Sequence, residues 1–386
     1  LISMKSDKTT PNVPTLRFAE FTDEWEKYEL SHFVTRITRR NKNNKSSLPL
    51  TISAQYGLVD QISFFNKTVA SVDLSGYYLL YNGDFAYNKS YSNDYAWGAV
   101  KRLDKYEKGC LSSLYFVFRP NDNVDSDYLT HYFESSKWHK GISNIAGEGA
   151  RNHGLLNMAV DDYFATKHYL PSLHEQKKIA RFFNAITRRI EIQNKIIEDL
   201  KVLKKELNYS LIGRIINGKS SNCKIEDVID YEQPTNYIVK SDKYIENGET
   251  PVLTANKAFL LGYTIENEGV YNKSDCIILD DFTLDFKYVN FPFKIKSSAI
   301  KILTAKKDIE LRYFYEYLLF LGLTSHEHKR HYISEVAPLP LYLPSIDEQR
   351  NALSVLNSIS KKIKVEENYI SALKAQKCFF LRAMFI

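Results

Sequence analysis

One segment of this 386-residue chain matches a phosphate-binding loop. The sequence GRIINGKS at Gly213–Ser220 fits the pattern G-x-x-x-x-G-K-[ST], and the run CIILD ending at Asp280 resembles a strand supplying a magnesium-binding carboxylate. Such a loop needs a strand before it and a helix after it, so that backbone N–H groups converge on phosphate. Here the pattern begins at the end of a predicted long helix, where Gly218 suits a helix stop. A linker is therefore favoured over an NTPase site, which stays open as an alternative.

Two further clusters resemble metal or nuclease sites. His326, His328 and His331 do not form H-E-x-x-H, and the neighbouring lysine and arginine would repel a cation. The run DFTLDFK from Asp281 weakly resembles nuclease carboxylates, and a nuclease also stays open as an alternative. No Gly-x-Gly follows a predicted strand and no two prolines are adjacent, so no site for S-adenosylmethionine or a dinucleotide is evident. We expect no catalytic residues and no bound metal or cofactor.

Polar loops in both halves carry side chains that recognise nucleic acid. Arginine binds guanine through two hydrogen bonds and asparagine does the same for adenine, whereas lysine and histidine can hold phosphates. One such loop, RNH, lies in a glycine-rich setting, and HEHKRH lies at the matching place in the second half. The residues predicted to contact DNA are Arg39, Arg40, Lys42, Lys89, Ser90, Tyr91, Arg151, Asn152, His153, Thr254, Asn256, Lys257, Lys294, Lys296, Lys329, Arg330 and His331.

The distribution of charge supports a polyanionic partner. The net charge is only +6, but Leu30–Val59 carries five basic residues and Phe286–Lys307 carries six lysines, in both cases without an acidic residue. Basic stretches of this kind suit DNA or RNA, although either one alone fits a solvated basic face equally well. One such stretch in each half of the chain favours nucleic acid.

Composition and cysteine usage indicate a globular, reduced protein. Hydrophobic residues make up 44% and charged residues 25% of a chain long enough for two or three domains. No apolar run approaches the ~18 residues of a membrane span, and no part is expected to cross a membrane. The N-terminus lacks the apolar stretch of a signal peptide. Four scattered cysteines without a Cys-x-x-Cys pair argue against zinc or disulfides and indicate the cytoplasm.

The elements that must position these loops show an internal repeat. LPSLHEQ begins at Leu170 and LPSIDEQ at Leu343, and 12 of the 44 positions aligned from there are identical. Each copy opens a helix predicted to be capped by Ser172 or Ser345, followed by apolar residues at heptad spacing. Such helices span roughly 35–40 residues, or about 50–60 Å. We expect the two to pair as an antiparallel coiled coil.

The heptads define the predicted contact between the helices. The seam residues are Ile179, Phe183, Ile186, Ile190, Ile197, Leu200 and Leu207 in the first helix, and Leu356, Ile359, Ile363, Ile370, Leu373 and Phe380 in the second. Polar residues interrupt both seams at matching places, at Lys204 and at Lys377 among others. These shared polar positions are interpreted as fixing the register of the helix pair.

The stretches before the two helices share an order of elements but little sequence. Each has an amphipathic start, β-rich runs, a short aromatic helix, a polar loop and a last strand ending in Leu-Pro. We therefore predict an α+β fold with an internal pseudo-two-fold repeat. The predicted segments are a flexible tail 1–14, a first globular domain 15–169, a first long helix 170–213, a linker 214–222, a second globular domain 223–342 and a second long helix 343–386.

In these features the chain resembles the specificity (S) subunits of type I restriction-modification systems. The resemblance covers nearly the whole chain. It rests on Leu16-Arg17-Phe18 with Trp25 near the start, on both Leu-Pro-Ser-x-x-Glu-Gln helices, and on the tandem domain–helix order.

The resemblance implies a non-catalytic DNA reader. Each domain would recognise half of a bipartite target on double-stranded DNA, and the helices would set the unread spacer. Two methyltransferase (M) subunits, carrying S-adenosylmethionine, would dock along the helices and methylate adenine N6, and restriction (R) motor subunits would join for cleavage. The remaining alternative is a coiled-coil scaffold that never binds DNA.

Overall fold

The computed structural model of the chain describes residues 2–4, 12–67, 69–92, 95–147, 154–256, 258–325, 327 and 329–386. It divides into two compact units. Unit 1 comprises Leu1–Asn194 with Tyr369–Ile386, and unit 2 comprises Lys195–Asn368. Each unit therefore contains one globular part and a portion of both long helices. Within the described residues, no helix has the length and apolar character of a membrane span.

The first unit begins with short strands and ends in a long helix. Its strands are β1 Ile2–Met4, β2 Leu16–Phe18, β3 Glu26–Glu29, β4 Val34–Arg36, β5 Leu50–Ser53, β6 Gly57–Asp60, β7 Tyr78–Tyr81, β8 Phe85–Asn88, β9 Ala99–Arg102, β10 Lys108–Leu111, β11 Phe116–Pro120 and β12 Lys167–Leu170. Its helices are α1 Leu30–Phe33, α2 Gln61–Phe65, α3 Ser126–Glu134, α4 His139–Ile145, α5 Val160–Phe164 and the start of α6 Leu173–Ile216.

A four-stranded antiparallel sheet in the order β4-β11-β8-β9 forms the centre of unit 1. Side chains alternate across its faces. Phe85 and Tyr87 enter a core with α3 and the start of α6, whereas Ala86 packs against the pairs β5–β6 and β7–β10. Helices thus cover one face and short hairpins the other. The pair β3–β12 joins the start of the domain to the strand before α6.

Unit 2 repeats this plan with shorter connections. Its strands are β13 Cys223–Lys224, β14 Ile229–Glu232, β15 Thr250–Leu253, β16 Leu260–Thr264, β17 Cys276–Asp280, β18 Phe286–Val289, β19 Lys294–Ile295, β20 Ile300–Ala305 and β21 Pro340–Leu341. Its helices are the end of α6, α7 Ile225–Val228, α8 Leu311–Leu321 and α9 Ile346–Ala383, which ends in unit 1.

The central sheets of the two units agree residue by residue. The order in unit 2 is β14-β20-β17-β18, and the pair β13–β21 takes the place of β3–β12. In unit 1, Phe118 on β11 faces Arg36 and Phe85; in unit 2, Leu303 on β20 faces Tyr231 and Ile277. The four-residue helices α1 and α7 end three residues before the paired positions on β4 and β14. The pseudo-two-fold repeat is therefore present in the strand register.

The repeated Glu-Gln phrase attaches each long helix to its globular part. Gln176 accepts a hydrogen bond from the backbone N–H of Asp125 and donates to the carbonyl of Pro171. Gln349 accepts in the same way from Glu310 and donates to Pro344. Both glutamines are buried. Asp125 and Glu310 are the N-cap residues of α3 and α8, so each glutamine links two helix starts.

The helix starts differ in how the glutamate is used. Ser345 and Glu348 form the predicted capping box, since each accepts from the other's backbone N–H. Ser172 caps Glu175 in the same manner, but the Glu175 carboxylate instead binds Arg17 through two hydrogen bonds of 2.7 Å. Both helices begin three residues after the predicted boundaries, because a strand and Pro-Ser precede the first and Leu-Pro-Ser precedes the second. The first extends to Ile216, into the predicted linker.

The long helices run antiparallel within each unit. In unit 1 the start of α6 meets the end of α9, where the rings of Phe182 and Phe380 lie 5.0 Å apart. In unit 2 the later part of α6 meets the middle of α9, where Lys201 forms a 2.8 Å ion pair with Glu367. Every predicted seam residue is buried or half-buried: Ile179, Phe183, Ile186, Ile190, Ile197, Leu200, Leu207, Leu356, Ile359, Ile363, Ile370, Leu373 and Phe380.

The matching lysines on the helices have a different role from the one interpreted from the sequence. Lys377 on α9 forms a 2.9 Å ion pair with Glu134 on α3, within unit 1. Lys204 on α6 forms a 2.9 Å ion pair with Glu316 on α8, within unit 2. These cations therefore join the later part of each long helix to a globular part rather than to the other long helix, which corrects the register interpretation for the two lysines.

Candidate nucleic-acid interface

In both units a backbone hydrogen bond is made at the end of one of the two inner strands of the central sheet. In unit 1, β8 ends at Asn88, and Lys89 then accepts a 2.9 Å backbone hydrogen bond from Leu156. In unit 2, β17 ends at Asp280, and Asp281 accepts a 2.9 Å backbone hydrogen bond from His331. The two hydrogen bonds thus start from equivalent strand positions and end next to the first predicted reading loop and within the second. The sequence gave no indication of this connection.

A buried carboxylate holds the loop of unit 2. One Asp281 side-chain oxygen accepts from the backbone N–H groups of His331 and Tyr332, at 3.1 and 2.7 Å. The other lies 3.3 Å from the Lys301 ammonium, with the two side chains 2% and 1% exposed. Charge pairing and two backbone donors together satisfy a group that would be costly to bury alone. Asp281 is therefore a structural residue and not part of the nuclease set considered above.

The tip of this loop presents two cations to solvent. Lys329 is exposed and pairs with Glu327 and Glu335, at 2.7 and 2.8 Å. Arg330 is exposed, and its guanidinium lies 5.8 Å from the ring centre of Phe282. Surface ion pairs of this kind contribute little stability, so a phosphate can replace the carboxylates as the partner of Lys329 at little cost. Both cations remain candidates for DNA contact.

His331 is buried beneath the loop rather than displayed on it. Its ring nitrogens are hydrogen-bonded to Glu335 at 2.8 Å and to the Ser325 hydroxyl at 2.6 Å. The hydrogen bond to Glu335 raises the pKa of His331, with burial acting in the opposite direction. The side chain therefore supports the loop, and the predicted direct DNA contact for His331 is corrected to this positioning role.

The predicted contacts on the β4–β5 connection of unit 1 are also partly engaged. Arg39 binds the buried carboxylate of Asp84 and donates to the carbonyl of Leu79 at 2.7 Å. Arg40 is exposed, although it donates to the carbonyl of Gly76 at 2.8 Å. Lys42 is exposed. Arg40 and Lys42 remain available to a ligand, whereas Arg39 serves the fold.

The β8–β9 connection carries the other predicted residues of unit 1. The Lys89 ammonium lies 5.1 Å from the ring centre of Phe116. Ser90 is exposed and forms an isolated bridge with Leu155, and the backbone N–H of Tyr91 donates to Gly154. Arg151, Asn152 and His153 lie outside the described residues, as does Lys257 in the second half.

In unit 2 two residues of the lysine-rich stretch, Lys294 and Lys296, are engaged by acidic residues. Lys294 is 1% exposed and donates to the carbonyl of Glu268 at 2.6 Å, with Glu266 3.1 Å away. Lys296 is half-buried and pairs with Asp242. In the folded sheet these lysines meet acidic residues from distant segments of the chain. Lys294 cannot reach DNA from this position, and the prediction for it is corrected.

Thr254 and Asn256 lie on the turn after β15. Thr254 is buried, with 7% of its surface exposed, so the DNA contact predicted for its side chain is corrected. Asn256 is exposed, and its side-chain oxygen accepts from the backbone N–H of Ala258 at 3.0 Å. Because Asn256 lies at the surface, its amide nitrogen can donate a hydrogen bond to a ligand.

A cavity of about 810 Å³ in unit 1 adds residues that were not predicted from the sequence. It lies between the globular part and the helix pair of that unit. Residues with polar groups on its wall include Tyr56, Tyr95, Lys101, His139, Lys374 and Lys377. They come from the β5–β6 turn, the β8–β9 connection, β9, α4 and α9. Because these segments are far apart in the chain, no local sequence pattern identifies the cavity.

The phosphate-loop pattern is not a loop in the structure. Gly213 to Ile216 belong to the last turn of α6, and Gly218 adopts φ of 72° at the helix end. Lys219 pairs with Glu348 at 3.2 Å. A helix end without a preceding strand does not present converging N–H groups to phosphate. Among the described residues, no group of three or more metal-binding side chains is found; His326 and His328 lie outside them.

Comparison with known proteins gives a consistent picture. Residues 23–202 match the family model described as Type I restriction modification DNA specificity domain. The type I restriction enzyme EcoR124I/EcoR124II specificity subunit of Escherichia coli is 40% identical over 139 residues, which are 34% of this chain and 34% of that protein. The matched segment thus spans about a third of that relative's length.

Two solved structures share the architecture. The S subunit of a type I restriction-modification system from M. genitalium has a TM-score of 0.55 at 16% identity, covering 97% of this chain and 99% of that one. A chain from a study of complex assembly and conformational transition of the type I R-M system has a TM-score of 0.54 at 17% identity, covering 92% and 96%. These likenesses confirm the expected α+β fold. Residues 23–202 are thus similar to the DNA specificity domain of type I restriction-modification systems, on a chain that shares its fold with solved S subunits.

Proposed function

We propose that this chain is the sequence-reading subunit of a type I restriction-modification complex. Each globular part would recognise one half of a bipartite DNA target. The observation that supports this most is that in both units the residue after the same strand accepts a backbone hydrogen bond from a residue at or just after a predicted reading loop, although the loops differ in sequence. A common scaffold with different loops suits two half-sites of different sequence.

The base contacts are proposed for the exposed loop residues. Arg330 and Asn256 in unit 2, and Ser90 with Arg40 in unit 1, carry donors that can reach base edges or phosphates. The exposed lysines among the predicted contacts, such as Lys42 and Lys329, would contribute affinity without sequence preference by binding phosphates. Arg151, Asn152, His153 and Lys257 remain sequence-based proposals.

The long helices are proposed to set the spacer and to carry partners. Exposed apolar side chains such as Ile192, Val202 and Val365 lie on α6 and α9 away from the predicted seam. Two methyltransferase subunits docked along these helices would bring S-adenosylmethionine to adenine N6, and restriction subunits would join them. This chain itself would contribute recognition and geometry but no reacting group.

Co-expression tests this proposal. The full chain would be produced with the methyltransferase subunits of a type I system in a host lacking adenine methylation, and methylated adenines would be mapped across the genome. The expected result is one split motif with a constant spacer, dependent on this chain. Absence of chain-dependent methylation, together with no salt-sensitive binding of the complex to duplex DNA, would overturn the proposal and favour a scaffold without DNA binding.

A further inference from the structure

The edge strands of the two central sheets carry lysines at equivalent positions. Lys101 on β9 faces Ala86 on β8, and Lys287 on β18 faces Ile278 on β17. Ala86 comes one residue after Phe85, which faces Phe118 on β11. Ile278 likewise comes one residue after Ile277, which faces Leu303 on β20. Lys101 and Lys287 therefore occupy the same place in the repeat, although the surrounding sequences differ.

The ammonium groups of both lysines lack a partner within the protein, whereas other lysines of the sheets are paired. Each residue is half-buried, and among the described residues neither side chain has a hydrogen-bond or ion-pair partner. By contrast, Lys294 and Lys301 are buried against carboxylates. Neither ammonium group is enclosed, so each can accept an anionic partner from outside the protein.

The surroundings of Lys101 are suited to an anion. It lines the 810 Å³ cavity together with Lys374, which is exposed, and Lys377. Burial lowers the pKa of Lys101, and the charge of Lys377 acts in the same direction while Glu134 opposes it. The Glu134 carboxylate on the cavity wall is neutralised by Lys377 at 2.9 Å and is hydrogen-bonded to His131 at 3.1 Å. The wall therefore keeps a surplus of positive charge.

We propose that Lys101 and Lys287 each bind one phosphate of the DNA backbone, at matching points of the two units. This inference rests on the proposed function and adds a phosphate anchor to each reader. A phosphate contact carries no base information, but it fixes the orientation of the duplex against the loop that reads it. The repeat would thus keep the anchors equivalent while the reading loops differ.

Salt dependence of binding tests the proposal. The full chain in complex with its methyltransferase partners would be titrated against fluorescent duplex DNA over a series of salt concentrations, for the wild type, Lys101→Met and Lys287→Met. Each substitution should reduce the slope of log K against log [salt] by about 0.9, the value for one phosphate. Affinity at low salt should fall severalfold, and the methylated motif should stay unchanged.

Two kinds of control keep the outcomes distinct. Lys101→Arg should retain the slope, and Lys105→Met, an exposed lysine just after β9, should leave it unchanged. Equal unfolding midpoints would show that the variants are folded. Wild-type slopes in both methionine variants, or equal losses in Lys105→Met, would overturn the anchor while leaving the proposed function intact. Failure of the wild-type complex to bind DNA would instead overturn the proposed function, and the anchor with it.

Discussion

At the scale of single residues, buried polar side chains hold the starts of the long helices and the loop of unit 2 in place. Gln176 and Gln349 make matching pairs of hydrogen bonds, and Asp281 satisfies two backbone amides and a lysine. A buried hydrogen bond contributes about 1 kcal/mol, but removing one partner costs up to about 3 kcal/mol because the other stays unsatisfied. These residues are therefore sensitive positions although none would touch DNA.

His168 predicts a pH dependence for the stability of unit 1. It is buried, with its ring nitrogens 2.8 Å from the hydroxyls of Tyr132 and Thr166. Burial lowers the pKa of His168 to about 4. The folded state therefore holds the neutral ring, and the resulting stability is complete above the unfolded pKa near 6.5. It should be lost as the pH falls from there to about 4, by about 3 kcal/mol.

Urea unfolding between pH 7 and pH 4 measures this loss. All three tryptophans lie in unit 1, so their fluorescence reports on that unit. His168→Gln should show a shallower decline than the wild type, whereas His32→Gln, at an exposed position, should decline as the wild type does. An identical decline in His168→Gln would contradict the assigned protonation state.

Residue-level prediction from the sequence succeeded where the pattern was local. The cap at Ser345 with Glu348 follows from residues three apart, and it is present. The lysines of Phe286–Lys307 misled because their partners are distant in sequence: Lys294 meets Glu266, and Lys301 meets Asp281. The sequence gives the number of charged residues in a stretch, but the folded sheet determines which of their side chains reach solvent.

At the scale of elements, the loop of unit 2 depends on the turn after β17. Asp281→Asn would keep an acceptor for the amides of His331 and Tyr332 but would leave the Lys301 cation buried without its counter-charge. Breaking a buried ion pair in this way costs about 3–5 kcal/mol. We expect lower stability and weaker discrimination in one half of the target, with the other half unaffected.

Adding Lys301→Met to Asp281→Asn provides the control, because it removes the orphaned cation. The double variant should recover most of the stability and the discrimination, as measured by unfolding and by methylation mapping. Full discrimination in the folded single variant would show that the ion pair does not position the loop.

Heptad spacing predicted the long helices and their buried faces, but not all of their contacts. Phe183 was expected at the helix–helix seam, and it is also part of the core of unit 1, where its ring lies 5.6 Å from that of Phe385. A helix that packs on both a partner helix and a sheet has a wider apolar face than the seam requires. Periodicity gives the buried face without identifying every element that covers it.

At the scale of the whole molecule, unit 1 is assembled from two separate segments of the chain, whereas unit 2 is one continuous segment. Met384 and Phe385 at the end of α9 enter the core of unit 1, and the aligned position Ile212 near the end of α6 enters that of unit 2. The sequence repeat predicted two equivalent halves. It did not predict that the end of each long helix completes the core of the other half, because that follows from three-dimensional packing alone.

Exchange of one reading domain tests the central claim most directly. Residues 223–342 would be replaced by the equivalent segment of another type I specificity subunit, and methylated adenines would be mapped with the same methyltransferase subunits. The proposed function predicts that one half of the split target changes, while the other half and the spacer length are retained. A target that stays unchanged, or one in which both halves change, would contradict the assignment of one half-site to each unit.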